Sequence, residues 1–269
     1  MVEPHTLAAL DDIDVDARRL VPLEGGHNFR DIGGYQTADG AWLRWGLVFR
    51  SGSMAELTPE DQERIGQLGI KVICDFRANR ERETRPTRWP KTVAVDLWTR
   101  DHESSVGEFI AALRHPGVTA EAVRERMIAA YRTLPYEQGD SYRELFLRLA
   151  TGQLPLVFHC SAGKDRTGIA AALLLSLLGV PRDAVIKDYL LTERFFERGC
   201  RLLLTDPSSS WFTHVDPRIW EPMMRADRAY IEAAIETLEQ LHGSIEGFLH
   251  DVLGIDANMK SELRRRLIA

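Results

Sequence analysis

Short apolar, β-type runs alternate with helical patterns through the first two thirds of the chain, and helical patterns alone fill the remainder. Trp45 to Arg50, ending at Ser51-Gly52, together with Lys71 to Phe76, Thr92 to Trp98 and Leu154 to His159, reads as four buried strands. Between them, Thr58-Pro59-Glu60 opens a helix with a hydroxyl at the N-cap and proline in the first turn, and this helix is expected to stop near Gly69. Apolar spacing predicts further helices over Ala120 to Arg132, Ser141 to Ala150, Arg166 to Leu178, Arg182 to Arg194 and Ala226 to Leu241. His242-Gly243 ends one helix, Ser244 begins the next, and Gly254 followed by Asp256 marks another helix-to-helix turn. The expected fold is α/β, a central, mostly parallel sheet flanked by helices, with a helical C-terminal half.

A chain of 269 residues with 44% hydrophobic content can bury one sizeable core, so residues 1–269 are read as a single domain. Residues 1–24 form an irregular arm, and 195–269 a helical region. Within it, Trp211, Phe212 and Trp220 read first as core aromatics, with a lid drawn from Phe195 to Trp220 as the second reading. The net charge of -6 gives no global attraction to nucleic acid or anionic membrane, so any basic site is local. Three scattered cysteines fit neither a disulfide framework nor a zinc site, and His102, His115 and His214 lack metal spacing. The acidic N-terminus lacks the apolar run of a Sec signal, and the most apolar stretch, Ile169 to Val180, is too short to cross a bilayer. A cytoplasmic location without stable membrane insertion is the expectation.

The chemistry concentrates where Leu156-Val157-Phe158 runs into His159-Cys160, turns through Gly163 and enters an apolar helix near Arg166. Strand, tight loop and helix N-terminus make an anion site. Backbone N–H groups of Ser161, Ala162, Gly163, Lys164, Asp165 and Arg166 converge there, and the helix dipole adds positive potential. The same field favours the thiolate of Cys160, its reactive form. Five residues intervene before Arg166, whose planar guanidinium can close over two phosphoryl oxygens. An ATP-binding loop is excluded, because Asp165 follows Lys164 where Ser or Thr is required and Phe158 replaces the first glycine. Cys74 and Cys200 read as structural thiols.

Cys-x5-Arg with a preceding His and a following Thr resembles the signature of the protein tyrosine phosphatase superfamily, in the form of its bacterial branch with an HCxAGKDRTG loop. Asn28-Phe29-Arg30-Asp31-Ile32-Gly33-Gly34 is similar to that branch's N-terminal motif. Asp75-Phe76-Arg77 with Glu81 and Pro86 resembles its central segment, Asp188-Tyr189-Leu190 recurs after the loop helix, and Tyr230 with His242-Gly243-Ser244 resembles its C-terminal pattern. The resemblance implies a metal-independent phosphatase with no cofactor. Cys160 attacks phosphorus, Arg166 grips the phosphoryl oxygens, and a phosphocysteine intermediate forms and is hydrolysed. Thr167 stands where a hydroxyl bonds the thiolate, and His159 where a histidine buttresses the loop. Implied substrates are phosphorylated proteins, phosphotyrosine first, with phosphoserine, phosphothreonine and phosphoinositides beside it. The alternative is a catalytically silent phosphate-binding scaffold, but silent relatives usually lose the cysteine or the arginine, and both stand here.

Two aspartates compete as general acid, Asp165 inside the loop and Asp101 after the Thr92 to Trp98 run. A carboxylate at Asp165 beside an incoming dianion costs Coulomb energy unless protonated or offset by Lys164. Lys164 resembles the loop lysine of phosphoinositide phosphatases, where extra charge accommodates a second phosphate. Asp75 and Arg77, at the C-terminal end of a strand, are expected to orient the loop or touch substrate. Asn28, Arg30 and Asp31 are read mainly as loop-stabilising groups.

Overall fold

The computed structural model describes residues 17–103, 117–205 and 212–269. Five strands, β1 (Arg30–Asp31), β2 (Val48–Ser51), β3 (Val72–Asp75), β4 (Asp96–Thr99) and β5 (Leu156–His159), form one sheet in the order β1-β2-β5-β3-β4. Only β1 runs antiparallel. The helices in chain order are α1 (Pro59–Gly66), α2 (Asn79–Thr84), α3 (Ala120–Glu137), α4 (Gly139–Thr151), α5 (Asp165–Leu178) and α6 (Arg182–Leu190). A 3₁₀ turn (Leu191–Phe195) leads to α7 (Phe196–Thr205), α8 (Pro217–Met224), α9 (Arg228–His242), α10 (Ile245–Asp251) and α11 (Ala257–Leu267).

All residues of β2, β3 and β5 are buried, as expected of parallel strands covered on both faces. Alternation then decides which core each side chain joins. Val48, Val72, Cys74, Leu156 and Phe158 face the large cluster around α5, whereas Phe49, Ile73 and Val157 face a smaller one with Phe29, Met54 and Ile65. Helix α5 is buried nearly all round from Thr167 to Leu178 and ends at Gly179, whose φ of 93° is the left-handed cap that a side chain would disfavour. Trp220 and Phe212 pack in a separate cluster with Val123, edge to face at 6.0 Å. Trp211 and His115 lie outside the described residues.

Several elements differ from the sequence reading. β1 has two residues inside a polar, glycine-rich stretch, too short to show any alternation. β4 begins at Asp96 and is a partly exposed edge strand, because Thr92 to Val95 approach the sheet through a turn. Helix α3 continues past Arg132 to Glu137 with Pro135 inside it, and the helix expected to reach Arg194 gives way to a 3₁₀ turn after Leu190.

Register brings the C-terminal ends of the parallel strands level: Ser51 and Asp75 both pair with His159, and Thr99 with Asp75. The segments that follow these strands therefore gather at one sheet edge, the usual place for a site in an open α/β sheet.

A buried ion cluster fastens that edge to the helices. Asp188 of α6 pairs with Arg50 of β2 and with Arg30 of β1 (3.3 Å), and Tyr35 Oη donates to it at 3.1 Å. Arg30 also donates to the Asp188 carbonyl at 2.9 Å. Burial opposes ionisation of Asp188, but the two guanidiniums outweigh it and hold its carboxyl down to about 2. Removing one partner of such a buried pair costs about 3–5 kcal/mol, so Asp188→Asn is expected to lower unfolding free energy by that amount at neutral pH. Because the folded-state value is depressed, the stabilisation is fully present above the unfolded value of about 3.9 and is lost as pH falls through about 2. Urea unfolding at several pH values should show the gap between wild type and Asp188→Asn closing over that window.

Candidate active site

Cys160 follows β5 directly, is buried, and begins the turn that Asp165 closes as the first residue of α5. Among the described residues, none accepts a hydrogen bond from the backbone N–H groups of residues 161–164, and the first N–H groups of α5 have no intrahelical acceptor. The carbonyls of the same loop are all occupied. Ser53 N donates to Ser161 O at 2.8 Å, Asn28 Nδ2 and Arg50 Nη2 donate to Gly163 O at 2.9 and 3.0 Å, and Tyr142 Oη donates to Arg166 O at 2.9 Å. Gly163 has φ 67°, and a Cβ there would lie 2.6 Å from backbone atoms of Ser51 and Gly52, so only glycine fits the turn.

Arg166 is oriented by Glu81. Nη1 and Nη2 donate to its two carboxylate oxygens at 2.7 and 2.8 Å, and Nη1 also donates to Phe76 O at 3.1 Å. A guanidinium has five N–H donors, so Nε and the second proton of Nη2 remain as a side-on fork for phosphoryl oxygens. Glu81 further accepts from Ser161 Oγ and from Ala78 N at 2.8 Å. Burial opposes its ionisation, but Arg166 and these donors hold the carboxyl down to about 2.

Asp75 and Arg77 lie behind the loop. Both Arg77 Nε and Nη2 donate to the Asp75 carboxylate, and the guanidinium continues to Thr87 Oγ1 at 2.8 Å and Arg85 O at 2.6 Å. Arg77 is 1% exposed, and its guanidinium is engaged at the end of β3. His159 Nε2 lies 3.6 Å from Asp75 Oδ2, and its Nδ1 contacts Cys160 O at 3.2 Å. Burial pushes the imidazole below its usual range despite the Asp75 charge, favouring a neutral prop. Thr167 Oγ1 is buried with no partner among the described residues.

The two aspartates part company. Asp165 Oδ1 accepts from Tyr131 Oη at 2.7 Å and lies 3.3 Å from Lys164 Nζ, at the loop's partly open face. Tyr131 in turn meets Tyr189 Oη at 2.7 Å. Asp101 is 90% exposed and paired with Arg82 at 3.1 Å. The buried Lys164 ammonium donates to the carbonyls of Met223 and Arg225. Asn28 donates to the loop at Gly163 O, Arg30 donates to Asn28, and Asp31 accepts from Gly33 N at 2.7 Å.

The sequence marks Glu81 only as part of a motif and does not mark Arg50, Tyr131 or Tyr142 as site residues. The Asp-x-Arg-x3-Glu spacing was a signal for Glu81, and a charged residue inside the buried run Val48–Ser51 was one for Arg50. The tyrosines carry no local signal.

Comparison with known proteins agrees with this geometry. A profile of the tyrosine phosphatase family matches residues 21–269. A protein of Cupriavidus necator that carries a tyrosine-protein phosphatase name is 30% identical over 258 residues, covering 95% of this chain and 90% of that protein. The triple specificity protein phosphatase PtpB of Mycobacterium tuberculosis is 30% identical over 276 residues, 91% of this chain and 98% of its own. A tyrosine-protein phosphatase of Nostoc commune is 29% identical over 160 residues, 55% of this chain and 49% of its own. A cysteine in a cradle of free amides, faced by an oriented arginine, thus sits in a chain that belongs to the tyrosine phosphatase family.

Proposed function

We propose that the chain hydrolyses phosphomonoesters through a phosphocysteine intermediate on Cys160, with phosphotyrosine as its main substrate and phosphoserine, phosphothreonine and phosphoinositides within its range. The observation that carries the reading is the polarity of the 160–166 loop: its N–H groups are unclaimed while its carbonyls are satisfied behind it. Such a loop is preorganised for a trigonal bipyramidal phosphoryl group and needs no reorganisation when charge develops on the equatorial oxygens. The breadth of substrate class is an extension from the M. tuberculosis relative, whose name states triple specificity.

In the first step Cys160 Sγ attacks phosphorus, the P–O bond to the leaving group breaks, and the leaving oxygen takes a proton from Asp165. Arg166 holds two equatorial oxygens with Nε and Nη2, the donors Glu81 leaves unused. Tyr131 donates to Asp165 Oδ1 and the Lys164 ammonium pairs with the same oxygen, which leaves Oδ2 as the atom for the proton transfer. In the second step water attacks phosphorus, Asp165 accepts its proton, and the S–P bond breaks to return the thiolate. Thr167 Oγ1, buried without another partner, is available to bond that thiolate. His159 and Asp75 support the loop from behind. Asp101 is assigned the lesser part, because it is solvated and already paired.

Cys160→Ser is expected to reduce turnover of an aryl phosphate by about 10⁴-fold or more while inorganic phosphate still binds, as judged by single-turnover kinetics and calorimetry. Full activity in that variant would exclude the mechanism. Asp165→Asn should slow a poor leaving group by about 100-fold and a good one far less, whereas Asp101→Asn should show no such contrast. The reverse pattern would move the acid to Asp101. Glu81→Gln, which keeps one acceptor but removes the charge that orients Arg166, should lower kcat by about 10- to 100-fold, with inhibition by inorganic phosphate weakened in parallel.

A further inference from the structure

Tyr131 of α3 and Tyr189 of α6 meet beside the phosphate loop, both buried, their rings edge to face with centroids 6.0 Å apart. Tyr131 Oη lies 2.7 Å from Asp165 Oδ1 and 2.7 Å from Tyr189 Oη, so the two hydroxyls and the carboxyl group form one chain. Gly168, one turn of α5 beyond Asp165, makes room for it: a Cβ there would lie 2.9 Å from the Tyr189 ring. Tyr189 is placed in turn by its neighbour Asp188, which Arg30 and Arg50 hold. Tyr230 packs its ring 5.5 Å from that of Tyr131, and its own hydroxyl donates to Pro222 O at 2.9 Å.

Counting protons gives this chain a direction. Burial pushes both phenols well above their usual range, so each keeps its proton at neutral pH. A phenol has a single O–H, and among the described residues Tyr189 Oη meets no acceptor but Tyr131 Oη. Tyr189 therefore donates to Tyr131, and Tyr131 to Asp165 Oδ1. The opposite sense, with a proton on Oδ1 donated to Tyr131, would leave the buried Tyr189 O–H without an acceptor. It would also set a proton beside the Lys164 ammonium, 3.3 Å from that oxygen. The chain is no route for proton delivery, because it ends at the buried Tyr189.

We propose that Tyr131 and Tyr189 are positioning residues for the general acid: the one-way chain from Tyr189 through Tyr131 keeps Asp165 Oδ1 an acceptor and confines the transferable proton to Oδ2. This rests on the reading of Asp165 as that acid. When the leaving oxygen takes the Oδ2 proton, Asp165 becomes a carboxylate, and Tyr131 then donates to a full charge, a stronger bond than the one to the neutral acid. The chain thus tightens as the leaving group departs and needs no rearrangement to do so.

The test measures kcat/KM across pH on two aryl phosphates, one with a good and one with a poor leaving group, for Tyr131→Phe, Tyr189→Phe, the double variant and Asp165→Asn. Each Tyr→Phe change removes a hydroxyl and keeps the ring, and the charges beside Asp165, those of Lys164 and Arg166, remain. Tyr131→Phe is expected to slow the poor leaving group about 10-fold more than the good one. It should also move the basic limb of the profile to higher pH, since a carboxylate that loses a donor binds its proton more tightly. Tyr189→Phe should show the same contrast at about threefold, through weaker polarisation of Tyr131. The double variant should match Tyr131→Phe, because Tyr189 acts only through Tyr131. Equal losses on both substrates with an unmoved profile would overturn the proposal, and the acid reading would still stand if Asp165→Asn keeps its own contrast. A double variant in which the two losses multiply would overturn it too. Should Tyr131→Phe not fold, Tyr189→Phe alone decides by the same contrast. If Asp165→Asn shows no contrast, the acid reading fails and the proposal with it.

Discussion

A cradle built from backbone amides imposes a condition on everything behind it. Peptide planes that turn their N–H groups towards a ligand turn their C=O groups inward, and buried carbonyls without donors are costly. The protein meets this condition with groups drawn from distant parts of the chain: Ser53 for Ser161, Asn28 and Arg50 for Gly163, Tyr142 for Arg166. Arg50 can serve because Asp188 and the β2–β5 pairing fix it, and Asn28 because its φ of 57° lets it reach across to the loop. Much of the polar interior thus exists to let a few amides remain free.

The electrostatics follow the same division of labour. Arg30 and Arg50 share one carboxylate, Asp188, so the buried cluster behind the loop carries an excess positive charge. Burial and the neighbouring Arg50 charge press Arg30 down to about 10, showing how closely the two cations are held. In front, Glu81 takes the opposite role. It neutralises part of Arg166 yet uses only the end-on donors, which sets the guanidinium plane without blocking its side.

What could be read from the sequence was what is local. Strand, loop and helix at 156–178 announce themselves through apolar patterning and a fixed Cys-to-Arg spacing. Glu81 was visible only as a spacing, because its function depends on where α2 carries it after β3. Lys164 marks a further limit, since nothing in the chain's order indicates that the end of α8 arrives with two carbonyls beside its ammonium. The Thr92 to Trp98 run reads as a buried strand, and only the sheet order reveals β4 as a partly exposed edge.

Asn28 stands 135 positions before the Gly163 carbonyl it satisfies, and Lys164 lies 61 positions before Arg225. Contacts this far apart must wait for slow loop closure during folding. Strand β5, the loop and α5 are contiguous in the chain, whereas the groups that hold them come from both far ends of it, so the cradle takes its shape from the tertiary fold and not from the signature segment alone.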